Sequence, residues 1–145
     1  MSGSINEDLA VIATIDPDVY VASTENTDEI DMSIFDEMMF TVMTGTLGAS
    51  ATIDFKVQES ATSGGSFSDI SGRAITQLTQ AGSDSDKQAV LRVRKGHLSE
   101  GKQFIRGVLT IAVATSDVGV IGHGRKSNYA PATDDDLVSV AEIVS

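Results

Sequence analysis

The chain is 145 residues long, has neither cysteine nor tryptophan, and sets 21 acidic against 10 basic side chains for a formal net charge of −11. That charge repels polyphosphate, so no nucleic-acid partner is expected, and the lack of cysteine removes disulfides and thiolate metal sites while leaving the redox compartment open. No basic leader precedes an apolar core at the N-terminus, and no apolar run reaches the roughly eighteen residues of a membrane span, so the expectation is a soluble, unprocessed product of a cytosol with no membrane partner.

One domain is the simplest reading of this length, with roughly two-thirds of the unfolded surface buried on folding and no staple needed. The first 37 residues stand apart from the rest. They hold ten acids (Glu7, Asp8, Asp16, Asp18, Glu25, Asp28, Glu29, Asp31, Asp36, Glu37) and no lysine or arginine. "AVIATI" and "VYVAS" are strand-capable but separated by Asp16-Pro17-Asp18, and in "TDEIDMSIFDEMMF" the residues Ile30, Ile34 and Phe35 share one side of a short helical turn. With too few apolar side chains for a core of its own, this stretch reads as an acidic, extended N-terminal arm over residues 1–37, ahead of a β-rich domain over 38–145.

From residue 38 the pattern is strands and turns. "MFTVMTG" is strand-like, and in "ATIDFKVQES" Ile53, Phe55 and Val57 alternate with polar neighbours at the period of a half-buried strand. Gly45 and Gly48 between them predict a hairpin, and Gly64-Gly65 in "ATSGGSFSD" predict a tight loop. "AITQLT" (74–79) and "AVLRVR" (89–94) are two further short strands, and "QFIRGVLTIAVA" (103–114) is expected to be the longest. "DVGVIGHG" extends the sheet, and the β-branched tail "DDDLVSVAEIVS" favours a closing strand over a short capped helix. No fixed-period repeat interrupts this order. The expected fold class is all-β, an antiparallel sandwich or small barrel of six to nine short strands carrying the extended arm.

One stretch resembles chemistry. In "GHLSEGKQFIRGVLTIAV" Gly96, Gly101 and Lys102 have the spacing of a phosphate-cradling loop, whose next residue must be Ser or Thr to hold Mg²⁺ and whose continuation must be a helix. Gln103 occupies the metal-ligand position, and the β-branched run after it favours a strand. His97 and His123 have no His or Cys at ligand spacing and read as turn residues, as does "GHGR" at 122–125. "DSD" at 84–86 and "DDD" at 134–136 lack the glycine and distal glutamate of a calcium loop, and no serine sits in a nucleophile elbow. No catalytic residue, cofactor or metal is therefore expected, and the chain is not expected to be an enzyme.

Six of the ten basic residues, Lys87, Arg92, Arg94, Lys95, Lys102 and Arg106, lie between 87 and 106. The plain reading of this asymmetry is a solvated acidic segment beside a mixed surface. The sharper one is an acidic arm docked on a basic face of its own or of a neighbouring subunit.

The run "MFTVMTGTLGASATIDFKVQESATSGGSFSDISGRAITQLT", then "AVLRVR", "QFIRGVLTIAVATS" and "GRKSNYAP", resembles the capsid decoration or cement proteins of tailed bacteriophages. The resemblance covers about residues 38–131 and rests most on "DFKVQESATSGGSFSDISG" and "FIRGVLTI", loose strand-and-loop patterns that tail-tube and neck proteins share in texture. It implies a virion structural protein, made in the host cytoplasm and located on the outer capsid surface. Its partners would be the major capsid protein and itself, the latter as a homotrimer. Such a protein gains affinity from many copies with a modest interface each, so arms that reach over a neighbour add area. Ile5, Leu9, Val11, Tyr20, Ile30, Ile34 and Phe35 are the candidate arm contacts, with Arg92, Arg94, Lys95 and Arg106 as charged partners; the alternative for each apolar one is that it completes the protein's own core. A tail-tube or neck protein is the second reading. A carbohydrate-binding module is disfavoured, because sugars stack on exposed aromatic rings and only two Tyr, five Phe and no Trp are present.

Overall fold

The computed structural model describes residues 5–125 and 139–143. Two antiparallel sheets pack face to face as an all-β sandwich. After a single helical turn, α1 (Ile5–Asp8), ten strands follow among the described residues: β1 (Leu9–Tyr20), β2 (Ser23–Asn26), β3 (Ile30–Asp31), β4 (Glu37–Leu47), β5 (Thr52–Ser60), β6 (Ser68–Ala74), β7 (Leu78–Thr79), β8 (Gln88–Arg94), β9 (Phe104–Ala112) and β10 (Ser116–Arg125). Sheet A has the order β1-β10-β4-β8. Sheet B has the order β2-β9-β5-β6, with β3 also on β9 and β7 also on β5.

Alternation sets which side chains meet. Met38, Phe40 and Val42 of β4 point inward, as do Ile53, Phe55 and Val57 of β5 and Ile105, Leu109 and Ile111 of β9, and all are buried. The Phe40 and Phe55 rings meet across the two layers with centroids 5.5 Å apart and planes tilted by 53°. Gly107 lies inward in β9, where a Cβ would overlap the Phe55 ring.

The expected hairpin between β4 and β5 does not form. Both strands bury a dense apolar face, and each covers its face by lying in opposite sheets, so the turn through Gly48 is an arch between layers rather than a connection within one. A second arch, Val113–Thr115, carries β9 into β10 beside it, and Gly48 is pressed against the Thr115 carbonyl and Ala114 with no room for a Cβ. The Gly48 N–H donates to Ser116 Oγ at 3.2 Å, which ties the two arches together.

Residues 9–31 of the expected arm are extended, as read, but they are edge strands of the sandwich. β1 runs unbroken through "AVIATI" and "VY", with Asp16 and Pro17 absorbed as an irregularity between Ile15 and Asp18, and pairs with β10; β2 and β3 pair with β9. The boundary at residue 37 therefore leaves no mark on the pairing. The turn expected at Ile30–Phe35 is present as Ile34 and Phe35 N–H groups donating to the Asp31 carbonyl, without extending into a helix.

Three other expectations change. β1, not β9, is the longest strand, at 12 residues against 9. "AITQLT" yields only β7, since β6 ends at Ala74. "GHGR" is strand rather than turn, because Gly122 and Gly124 bring β10 against the Phe40 and Phe35 rings, where a side chain would collide. Residues 139–143 form neither strand nor helix, and the "DDD" segment lies outside the described residues.

Candidate protein-binding surface

The outer faces of the two sheets differ. On sheet B the outward groups satisfy one another: Lys56 Nζ pairs with Asp69 at 2.9 Å, Gln58 Nε2 donates to Asp69 at 2.8 Å, and the Arg106 guanidinium donates twice to Gln58 Oε1 while stacking 4.3 Å from the Phe67 ring centre. Hydrogen bonds from Gln58 and Lys56 hold the Asp69 carboxyl below the usual carboxylate range. On sheet A the outward side chains of β4 and β8 include Met39, Met43 and Val90, exposed by 38%, 48% and 61%, set among Thr41, Gln88, Arg92 and Arg94. The pairing sets Met39 opposite Arg92 and Met43 opposite Gln88. Beside Met43, the strand irregularity of β1 lays Pro17 over Gly119 and leaves a groove of about 720 Å³ that includes Val19 and Ile121. Methionine and arginine are among the residue types enriched at protein interfaces.

The open sides of the sandwich are charged with opposite sign. Where β6 meets β8 stand Arg73, Arg92, Arg94, Lys95 and His97; Arg73 Nη1 donates to the Arg92 carbonyl at 3.0 Å, and the Arg94 N–H donates to His97 Nδ1 at 3.0 Å. Partial burial, then the neighbouring Arg73, Arg94 and Arg92, push the His97 imidazole below its ordinary value. Lys95 pairs with Asp36 at 3.2 Å, whereas Arg92 and Arg94 form no ion pair among the described residues. Where β1 meets β2, Asp16, Glu25 and Asp28 line a cleft of about 370 Å³ together with Tyr20, and Asp18 stands close enough for its charge to act on the Tyr20 hydroxyl. Burial, followed by Asp18, Glu25 and Asp16, raises the Tyr20 hydroxyl above the usual phenol value.

The expected contact residues divide accordingly. Ile30 and Phe35 are buried in the core, at 1% and 3% exposure, and are corrected from arm contacts to core residues because β3 and the turn after it close the end of the sandwich. Ile5 and Ile34 are exposed, Leu9 and Val11 are half-buried on β1, and Tyr20 donates its hydroxyl to the Asp16 carbonyl at 2.6 Å. The basic run does not make one face: Arg92 and Arg94 belong to sheet A, Arg106 to the outer face of sheet B, where Gln58 and Phe67 already engage it. Sequence reasoning missed Met39, Met43 and Val90. Their signal was present as apolar residues at the polar phase of β4 and β8, but either phase of so apolar a strand reads as core.

At the phosphate-loop match, Lys95–His97 is a short 3₁₀ turn, Gly101 takes a φ of +79°, and β9 begins at Phe104 where a helix would be required. Among the described residues no group of three or more His, Asp or Glu side chains converges as a metal site, and no helix is long and apolar enough to cross a membrane. No family model matches the chain, and no curated protein matches it.

Proposed function

We propose that this chain is a structural protein of a tailed-bacteriophage virion: a capsid decoration or cement protein that binds the outer surface of the head and braces neighbouring major capsid subunits, with no chemistry of its own. The observation that carries the reading is the outer face of sheet A, where Met39, Met43 and Val90 stand exposed among Thr41, Gln88 and Arg92, on a sandwich whose other face is satisfied by its own side chains. It joins the strand-and-loop resemblance over residues 38–131. A rigid, closed core suits this role, because a clamp transmits load only if binding does not deform it. Covering the exposed part of each of these apolar side chains contributes on the order of 1 kcal/mol, and repetition over many sites multiplies a modest single interface.

The test is co-sedimentation with matching empty capsids and the temperature at which those capsids release protein. The wild type is expected to co-sediment and raise that temperature. The folded double variant Met39→Lys/Val90→Lys is expected to lose both effects by at least tenfold in affinity. A wild type that ignores capsids, or a double variant that binds them undiminished, would falsify the assignment.

A further inference from the structure

We propose that copies of this chain associate head to tail, the basic β6/β8 side of one copy seated on the acidic β1/β2 side of the next. β1 and β8 are opposite edges of sheet A, and β2 and β6 are opposite edges of sheet B, so the two charged sides lie across the sandwich from each other. At the usual strand spacing the edges of sheet A are roughly 14 Å apart. Asp16, Asp18 and Glu25 therefore cannot reach Arg92 and Arg94 of their own chain, and only another copy brings the two sets together.

Each side has what the other lacks. Arg92 and Arg94 are exposed and form no ion pair among the described residues. On the acidic side no lysine or arginine pairs with Asp16, Asp18, Glu25 or Asp28 among the described residues, and Val19 and Val21 stand exposed beside them at 60% and 66%. Carboxylates interleaved with valines match arginines bordered by Val90. A two-fold pairing of either side with itself brings like charges together and is disfavoured.

The strand edges explain why the contact is made by side chains rather than by one sheet continuing into the next. Arg73 occupies the outward Arg92 carbonyl, His97 accepts from the outward Arg94 N–H, and Asp28 accepts from Thr14 N–H on β1 at 3.4 Å. These caps block strand addition, a common protection of sheet edges, and leave charged tips to set the register. Because the two surfaces are different, the assembly closes as a ring or extends, and it cannot stop at a symmetric dimer.

The inference shares with the capsid reading the expectation of self-association and the residues Val90 and Arg92, and its test uses purified protein without capsids. Light scattering on a sizing column at low salt is expected to give a mass above the monomer that falls as salt rises. Arg92→Glu/Arg94→Glu and Asp16→Lys/Asp18→Lys, all at exposed positions, are each expected to be folded by circular dichroism and monomeric. Mixed together, the two variants offer one complementary contact between their intact sides and a second, charge-swapped one between their reversed sides, so the mixture is expected to regain a mass above the monomer. A monomeric wild type, a variant with unchanged mass, or a mixture that stays monomeric overturns the proposal. A mixture that pairs while wild type fails to bind capsids supports it and sinks only the decoration reading.

Discussion

Thr27 shows how much a single side chain decides. It is 6% exposed, its N–H donates to the Gly107 carbonyl at 2.9 Å, and its Oγ1 accepts the Gly107 N–H at 2.8 Å, so it fastens the gap between β2 and β3 to β9. Thr27→Val keeps the shape but leaves a buried N–H without an acceptor, and is expected to lower the unfolding free energy by about 1–3 kcal/mol in urea titration, with Thr27→Ser close to wild type. His97 carries a pH dependence. Its folded value lies below the ordinary 6.5, so over the interval beneath 6.5 the unfolded chain takes up a proton that the folded chain refuses. Stability present above that interval is lost as the pH falls through it. Urea midpoints from pH 7.5 to 5.5 are expected to decline more steeply for wild type than for His97→Gln, and parallel curves would remove His97 from the account. Asp31 behaves in the other range: burial pushes it up, but hydrogen bonds from Gln103 and Ser33 and the charge of Lys95 outweigh this and hold it below 3.8. None of these roles was legible in the sequence, where Thr27 is one polar residue among acids and His97 a turn residue in a false phosphate loop. Each depends on a neighbour at least three residues away that only the fold supplies.

At the scale of elements, the alternation in "ATIDFKVQES" and "AVLRVR" reads correctly as strand because a period of two is a local property. Partners are not local. The glycines at 45 and 48 suggest a hairpin, yet Phe40 and Phe55 have to face each other for either to be covered, and that requires their strands to lie in opposite sheets. Phe55→Ala would leave a cavity beneath Gly107 and opposite Phe40. A loss of about 3–5 kcal/mol is expected by denaturant titration, and a loss under 1 kcal/mol would contradict the packing described. The contact face was illegible for a related reason. Met39, Met43 and Val90 look in the sequence like core residues, and only the direction of the pleat shows that they face out.

Across the whole molecule, residues 1–37 supply β1 to sheet A, β2 and β3 to sheet B, and Ile30, Met32 and Phe35 to the core. Removing them is expected to abolish the folded state, read as loss of a cooperative thermal transition, rather than to leave a stable domain without its arm. A sharp transition in the shortened chain would restore the division at residue 37. The position of β10 reaches further still. It is the last strand among the described residues, yet it lies between β1 and β4, with Leu9 opposite Arg125. During synthesis, at roughly 5–20 residues per second, β1 waits on the order of ten seconds for its partner. Sheet A is thus closed only once Ser116–Arg125 has emerged, although β4 and β8 pair without it. Translation that stops before Ser116 leaves β1 without its partner and sheet A in two pieces.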